Sequence, residues 1–154
     1  MVWGAFFDTT KTDLVFIPPK SRKAADFIQH VYKPGLVPFL QEHDPDRSLN
    51  LVLKEDGAPV HKAKLSVDFL AQAKIKKLPN WPPQSPDLNP IENVWKVLKT
   101  NVQELYHPKS VSEMQESLKQ AWNDFPKQTL INIIKSMPQR MQAVLDADGG
   151  PTQW

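Results

Sequence analysis

The sequence predicts an α/β fold in which short strands alternate with helices and further helices follow at the C-terminal end. Two observations predict it. Short apolar runs bounded by turn residues recur in the first half of the chain, and apolar residues at helical spacing dominate the second half. A chain of 154 residues with 40% hydrophobic and 23% charged content has the size and composition of one globular domain.

The N-terminal third is predicted to contain a hairpin and then a helix. Residues 2–7 and 14–17 are the expected strands, and the polar residues 8–13 connect them. A helix is expected over residues 21–32, because Ala24, Phe27, Ile28 and Val31 share one face. The pair Pro34-Gly35 is predicted to interrupt it, with a second helical piece over residues 36–41.

The middle of the chain is predicted to hold two strands around one helix. Residues 49–53 form a short apolar run typical of a buried strand, which ends at the turn sequence Lys-Glu-Asp-Gly-Ala-Pro of residues 54–59. Asp56 therefore lies at the C-terminal end of that strand. A helix over residues 62–73, with Leu65, Phe69 and Leu70 inward, leads to a strand at residues 75–78.

A stiff segment with several prolines then changes into a helix start. The three prolines at positions 82, 83 and 86 exclude a helix or a central strand over residues 81–87. Asn89 is a suitable N-cap, Pro90 fits the first helical position and Glu92 falls at the third. The apolar stripe behind it consists of Val94, Trp95 and Leu98. We expect both Trp81 and Trp95 to be substantially buried.

The C-terminal third is predicted to be helical. Ser110 and Glu113 form a capping box at the start of a helix. Its expected apolar face consists of Val111, Met114, Leu118 and Trp122. A last helical region spans residues 127–147, with a kink or break at Pro138 and a stop at Gly149-Gly150. Its expected apolar face consists of Leu130, Ile134, Met137, Met141 and Val144.

Asp56 and Glu92 are the candidate metal ligands. In open α/β sheets, sites form just beyond the carboxyl ends of strands, where Asp56 is expected. Two such carboxylates could share a divalent ion such as Mg²⁺, which prefers oxygen ligands. We expect the two groups to approach within about 8 Å. Spacing alone leaves an alternative for Glu92, because Asn89-x-x-Glu92 is close to a capping box.

Four segments together carry a family resemblance. They are Met-Val-Trp-Gly-Ala at residues 1–5, Glu-Asp-Gly-Ala-Pro-Val-His at 55–61, the block Trp-Pro-Pro-Gln-Ser-Pro-Asp-Leu-Asn-Pro-Ile-Glu-Asn-Val-Trp at 81–95, and Ser-Met-Pro-Gln-Arg-Met-Gln-Ala-Val at 136–144 with the later Gly-Gly. In these segments the chain resembles the mariner superfamily of transposases. The resemblance implies a ribonuclease-H-like mixed sheet flanked by helices, and a triad of acids that holds two Mg²⁺ or Mn²⁺ ions to cut and join DNA.

The resemblance assigns roles to individual residues. Asp56 corresponds to the second acid of the triad and Glu92 to the third, with one residue more between them than is common in the family. His61 and Asn93 are candidates for lining the site, although His61 could equally be a solvated histidine at a helix start. Asp87 is expected to have a structural role in a turn. Glu55 should point away from Asp56 if the strand extends that far.

The first acid of the triad is expected on a strand upstream of residues 1–5, so that residues 1–154 form a partial catalytic domain. Its expected parts are strands and first helices in 1–60, the second and third acids in 61–105, and C-terminal helices in 106–154. Asp8 and Asp13 are the only early acids, and both are predicted to be turn residues. The chain is then a transposase-derived endonuclease domain without its first acid. The alternative is a non-catalytic remnant, or an adapted protein- or DNA-binding domain.

The composition excludes several kinds of site and segment. The chain has no cysteine, which excludes disulfides and zinc–thiolate sites. No apolar run is long enough for a membrane span, and no signal peptide is evident. The net charge of +2 is too small to indicate nucleic-acid binding by itself. The resemblance implies transposon-end DNA as partner, allows a homodimer, and leads us to expect an intracellular, nuclear protein.

Overall fold

The computed structural model describes residues 1–21, 23–79 and 85–153. The chain divides into two compact units. The first consists of Met1–Ala5 and Thr12–Gln84, and the second of Phe6–Lys11 and Ser85–Trp154. The organisation of 1–154 as one partial catalytic domain stays a prediction.

The strands of the described residues are short and pair two by two. They are β1 (Val2–Trp3), β2 (Phe6–Phe7), β3 (Thr10–Lys11), β4 (Val15–Phe16), β5 (Val52–Leu53) and β6 (Lys76–Lys77). Strand β1 is antiparallel to β4, β2 is antiparallel to β3, and β5 is parallel to β6. The ladders are therefore mixed in direction, as predicted.

The N-terminal hairpin is confirmed by the pairing of β1 with β4, in which Val2 lies opposite Phe16. The prediction that residues 8–13 only connect the two strands was wrong. Within that segment β3 pairs with β2, and the tight turn is confined to Asp8 and Thr9. Asp8 adopts a positive φ of 48°, a conformation that aspartate tolerates in turns.

The parallel pair β5–β6 confirms strands near residues 49–53 and 75–78, with Val52 opposite Lys76. The expectation that the first of them is buried was wrong, because Leu49 and Val52 are exposed by 55% and 47%. Side chains alternate between the two faces of a strand. Leu53 is half-buried and Val52 therefore faces solvent.

One continuous helical segment follows β4. It consists of α1 (Ala24–Phe27), a π-helical stretch (Ile28–Leu36) and α2 (Val37–His43). The predicted interruption at Pro34-Gly35 was therefore wrong. The wider π-helical turn, in which Val37 N–H donates to the Tyr32 carbonyl, accommodates a proline that would break a regular α-helix. The segment's buried residues are Phe27, Ile28, Val31, Tyr32, Leu36, Phe39 and Leu40.

Gly35 lets this helical segment approach the β1–β4 ladder. A Cβ atom at this position would lie 3.1 Å from Val15 Cγ2 and 3.2 Å from the Trp3 ring. Such distances are too short for most side chains without movement of the neighbours. The glycine therefore favours this close packing, which is a different role from ending a helix.

The helix predicted over residues 62–73 is confirmed as α4 (Lys64–Gln72), and a separate short helix, α3 (Pro59–Lys62), precedes it. Ala63 between them is extended, with ψ of 136°. The inward side of α4 differs in part from the predicted one. Ser66 is fully buried and Leu70 is 2% exposed, whereas Leu65 is 53% exposed and does not face inward as predicted.

The second unit contains α5 (Pro90–Leu105), α6 (Val111–Asn123), α7 (Lys127–Lys135) and α8 (Met137–Asp146). Its buried apolar core includes Val94, Leu98, Val102, Ala121, Trp122, Phe125, Leu130 and Ile133. Trp95 is half-buried and stacks on Trp122, with ring centroids 5.4 Å apart. Lys11 of β3 donates to the carbonyl oxygens of Trp122 and Asn123 at the end of α6. Trp81 lies outside the described residues.

The cap of α6 forms largely as predicted. The Ser110 hydroxyl accepts from the Glu113 N–H at 3.1 Å, but the Glu113 carboxylate accepts from Lys109 N–H instead of that of Ser110. The predicted apolar face was wrong in its first turn, because Val111 and Met114 are exposed. The buried residues of the helix are Ser117, Ala121 and Trp122, and the helix packs on α5.

The predicted break near Pro138 is confirmed. Ser136 separates α7 from α8, and Pro138 lies in the first turn of α8. A backbone N–H in the first turn has no partner within the helix, so the missing N–H of proline costs no helical hydrogen bond there. Gly149 ends the region with φ of 77°. Arg140, two residues after Pro138, is buried at 3% exposure, whereas Met141, which was predicted to face inward, is 56% exposed.

Among the described helices, none has the length and apolarity needed to cross a bilayer.

Candidate active site

Asp56 lies in the loop between β5 and α3, beyond the carboxyl end of the strand. Its side chain is 60% exposed. The Oδ1 atom accepts from the Ala58 N–H at 3.0 Å, the local turn bond that aspartate commonly makes. One carboxylate oxygen is thus held by the backbone while the group remains open to solvent.

His61 lies against Asp56 and is not a solvated histidine. Its side chain is 12% exposed, and Nε2 lies 3.4 Å from Asp56 Oδ1. On the other side of the ring, Nδ1 lies 3.0 Å from Glu55 Oε1. The Phe27 ring packs edge-on against the imidazole, with centroids 4.8 Å apart. The orientation of the ring is therefore fixed on three sides.

Glu55 is the buried centre of this cluster, with a side chain only 5% exposed. The Tyr32 hydroxyl donates to Oε1 at 2.7 Å, and Lys77 Nζ lies 3.0 Å from Oε2. Lys77 also donates to the His61 carbonyl at 2.7 Å. Glu55 and Asp56 contact opposite nitrogens of one imidazole. The opposite-face expectation depended on the strand reaching these residues and does not apply, because β5 ends at Leu53, before either acid.

The electrostatics of the cluster keep Glu55 ionised. Burial alone would raise the pKa of Glu55, but the hydrogen bond and charge of His61, with the bonds from Tyr32 and Lys77, hold that pKa below its ordinary value. Burial, followed by the negative charge of Glu55, raises the pKa of Tyr32. Tyr32 is therefore a neutral donor and Glu55 a charged acceptor.

Sequence reasoning missed Tyr32 and Lys77 as members of the site. Tyr32 is fully buried in the inner face of the π-helical stretch. A buried tyrosine hydroxyl usually needs a hydrogen-bond partner, which was the available signal. The sequence contained no such signal for Lys77, because its contact with Glu55 depends on the parallel pairing of β6 with β5.

Glu92 lies in the first turn of α5 and is exposed. Asn89 is the N-cap, as predicted, but its side chain makes no capping bond. The Asn89 N–H donates to the Pro86 carbonyl at 2.9 Å, so it is not held by the Glu92 carboxylate. The capping-box alternative is therefore not supported. The helix dipole favours a negative charge at this end.

The other acids behave as structural or turn residues. Asp87 Oδ1 accepts from Leu88 N–H and Oδ2 accepts from the Thr152 hydroxyl, both at 3.1 Å. These contacts agree with the structural role predicted for Asp87. Asp8 and Asp13 are exposed, and Asp8 lies in the β2–β3 turn.

Asn93 follows Glu92 on α5 and is half-buried. It lines a groove of about 360 Å³ along α5 and α7. The other lining residues are Lys96, Val97, Thr100, Asn101, Thr129 and Ile133. The groove combines a lysine and several amide and hydroxyl groups within one unit.

The donors at Asp56 and Glu92 fit a hard divalent cation, since both are exposed carboxylates and Mg²⁺ and Mn²⁺ prefer oxygen ligands. Within the described part of the chain, no group of three or more His, Asp or Glu side chains is arranged to hold a metal. Asp56 belongs to the first unit and Glu92 to the second. Their expected approach to within about 8 Å stays a prediction.

Comparison with known proteins identifies the class. Residues 2–115 match the family described as DDE superfamily endonuclease. The chain therefore belongs to this family. It is 30% identical over 156 residues to the Tc3 transposase of Caenorhabditis elegans, and 30% identical over 158 residues to the Tcb1 transposase of Caenorhabditis briggsae. Both alignments cover 100% of this chain, but only 45% and 54% of those relatives.

The fold is ribonuclease-H-like, and solved structures support this assignment. The catalytic domain of Mos1 mariner transposase superposes with a TM-score of 0.75 at 20% identity, covering 99% of this chain and 82% of that one. That domain has been solved with raltegravir and either Mn or Mg. Mos1 has also been solved as a paired-end complex with Mn, over 93% of this chain at a TM-score of 0.74.

Proposed function

We propose that the chain is a transposase endonuclease domain in which Asp56 and Glu92 are two of the three acids that hold divalent metal ions. The reaction is cleavage and joining of DNA strands. The observation that carries the proposal is the arrangement at Asp56. It is a solvent-open carboxylate beyond a strand end, which contacts the Ala58 N–H and the imidazole of His61, whose side chain is 12% exposed. Family membership supplies the reaction class.

The metal and the residues have separate tasks in this proposal. When bound, Mg²⁺ or Mn²⁺ would activate water or a 3′-hydroxyl and stabilise the leaving oxygen. Asp56 would offer the oxygen that is not held by Ala58. Glu92 would offer its carboxylate from the start of α5, where helix geometry holds its backbone. His61 and Asn93 would line the site next to these two acids.

We assign no residue of 1–154 as the first acid, and we propose that the chain by itself is a poor nuclease. Two acids supply less ligand charge than the three with which the family holds two ions. The test is Mg²⁺- or Mn²⁺-dependent nicking of supercoiled DNA by the purified chain, with Asp56→Ala as control. We expect no nicking above the control. Strong nicking that Asp56→Ala abolishes would show that another residue serves as the first acid, and Asp8 and Asp13 would be mutated first.

A non-catalytic binding domain is the second candidate, and metal binding separates the two. An endonuclease domain should bind Mn²⁺ through Asp56 and Glu92, so that Asp56→Asn and Glu92→Gln each weaken Mn²⁺ binding in a spin-resonance titration. A domain that has lost the catalytic site would bind Mn²⁺ equally well with and without these substitutions.

We further propose transposon-end DNA as the partner, a homodimer as the working assembly, and the nucleus as the location. The paired-end complex and pre-cleavage transpososome solved for Mos1 support DNA as partner. Light scattering with and without DNA carrying the element's own ends would measure the assembly. A fluorescent fusion would report the location.

A further inference from the structure

A buried arginine of α8 contacts the segment that leads into Glu92. Arg140 is 3% exposed and lies in the Ser-Met-Pro-Gln-Arg motif, which the proposed function does not use. Burying a guanidinium is costly unless its donors are satisfied. The partners of Arg140 therefore indicate why an arginine stands at this position.

The guanidinium links α8 to a residue 53 positions earlier in the chain. Arg140 Nη1 donates to the backbone carbonyl of Asp87 at 3.2 Å, and Nε donates to the Ser136 hydroxyl at 2.7 Å. The Ser136 hydroxyl in turn donates to the Ile133 carbonyl at 2.6 Å at the end of α7. The arginine is thus held in a fixed position by the α7–α8 junction.

Asp87 is bonded on its side chain as well as on its carbonyl. Its two carboxylate oxygens accept from Leu88 N–H and from the Thr152 hydroxyl. Two residues later, the Asn89 N–H donates to the Pro86 carbonyl, and the Glu92 N–H donates to the Asn89 carbonyl at 3.0 Å. The Arg140 side chain thus binds the backbone of a short turn, and backbone hydrogen bonds connect this turn to the start of α5.

We infer that Arg140 is a positioning residue for Glu92. By binding the Asp87 carbonyl it fixes the turn at residues 86–89, and this turn sets where α5 begins and where the Glu92 carboxylate is presented. The inference rests on the proposed role of Glu92 as a metal ligand. The Ser136-to-Arg140 motif would then act on the proposed metal site through the turn at residues 86–89.

The first measurement is amide hydrogen exchange in the complete chain. Arg140→Met keeps an unbranched side chain and removes the donors. We expect exchange at Asn89 and Glu92 to become about tenfold faster, because a hydrogen bond from a charged donor is lost. Exchange at Leu98, further along α5, should stay unchanged. The matched control is Gln139→Met, an exposed neighbour on the same helix, which should change neither.

The second measurement is Mn²⁺ affinity by spin resonance. Arg140→Met should weaken Mn²⁺ binding, and combining it with Glu92→Gln should weaken binding no further than Glu92→Gln alone. Arg140→Lys, which keeps the charge and one donor toward Asp87, should restore part of the affinity. A residue needed only for packing would produce neither this non-additivity nor this rescue.

Two exchange results would overturn the inference. One is wild-type exchange at Asn89 and Glu92 in Arg140→Met. The other is a uniform increase over the whole of α5 to α8, which would mean that Arg140 only holds the core. If Arg140→Met does not fold, exchange at Asn89 and Glu92 is compared with exchange at Leu98 in Arg140→Lys instead. If Glu92→Gln leaves Mn²⁺ affinity unchanged, the proposed metal role of Glu92 fails, while exchange still reports whether Arg140 fixes the turn.

Discussion

Replacing Glu55 by glutamine tests the buried cluster beside Asp56. The substitution keeps the shape of the side chain and one acceptor oxygen but removes the negative charge. The groups that face this carboxylate are the Tyr32 hydroxyl, the His61 imidazole and the Lys77 ammonium. The new amide also places a donor next to Lys77, or next to Tyr32 and His61 if it is flipped.

The size of the effect follows from burial. A hydrogen bond to a charged group stabilises by about 1.5–3 kcal/mol, and breaking a buried ion pair costs about 3–5 kcal/mol. The Lys77 side chain is 26% exposed, so part of its interaction is screened by solvent. We expect Glu55→Gln to lower the free energy of unfolding near neutral pH by about 2–3 kcal/mol.

The pH dependence has a definite sign. Because the pKa of Glu55 is held below its ordinary value of 4.5 in the folded chain, its carboxylate contributes stability that is complete above that value. The contribution is lost as the pH falls through the lower, folded pKa. Urea unfolding followed by circular dichroism should therefore show a shallower acid dependence for Glu55→Gln than for the wild type.

The matched control is Glu42→Gln, whose side chain is 75% exposed and lies 3.9 Å from His43. It should change the free energy of unfolding by less than about 0.5 kcal/mol. If Glu55→Gln were as stable as this control and had the wild-type acid dependence, the charged cluster would not hold the site as described.

Three further predictions test the second unit. Trp122→Ala should lower the free energy of unfolding by about 3–5 kcal/mol and Trp95→Ala by less, because Trp122 is 1% exposed and Trp95 is half-buried; equal losses in urea titrations would contradict the burial. Ser110→Ala should cost about 1 kcal/mol through loss of the α6 cap, and Ser112→Ala within the same helix should cost clearly less. Lys96→Gln should weaken DNA binding and reduce the salt-dependence slope by about one, if the groove contacts phosphate; an unchanged slope in a fluorescence titration would exclude such contact.

Local chemistry made several features predictable. The start of α5 was predictable because Asn89 and Pro90 suit the cap and first position of a helix, regardless of which residues pack against that helix. The break between α7 and α8 followed from Pro138, and the position of Asp56 followed from the turn residues after β5. In each case residues close in the sequence determine the backbone.

Features that depend on distant partners were not predictable in this way. The π-helical stretch continues through Pro34, although Pro34-Gly35 locally favours a break. Leu65 fits a helical stripe, yet Ser66 takes the buried position and Leu65 faces solvent. The contact of Glu55 with Lys77 requires the β5–β6 pairing, and that of Arg140 with Asp87 joins residues 53 positions apart.

We propose that Asp56 and Glu92 hold the same metal ions, and anomalous diffraction from crystals grown with Mn²⁺ would test this proposal. We expect an anomalous peak with carboxylate oxygens of both residues about 2.0–2.3 Å from Mn²⁺, or from two neighbouring ions, and the two carboxylates within about 8 Å of each other. Mn²⁺ bound elsewhere, or two carboxylates too far apart for one site, would contradict it.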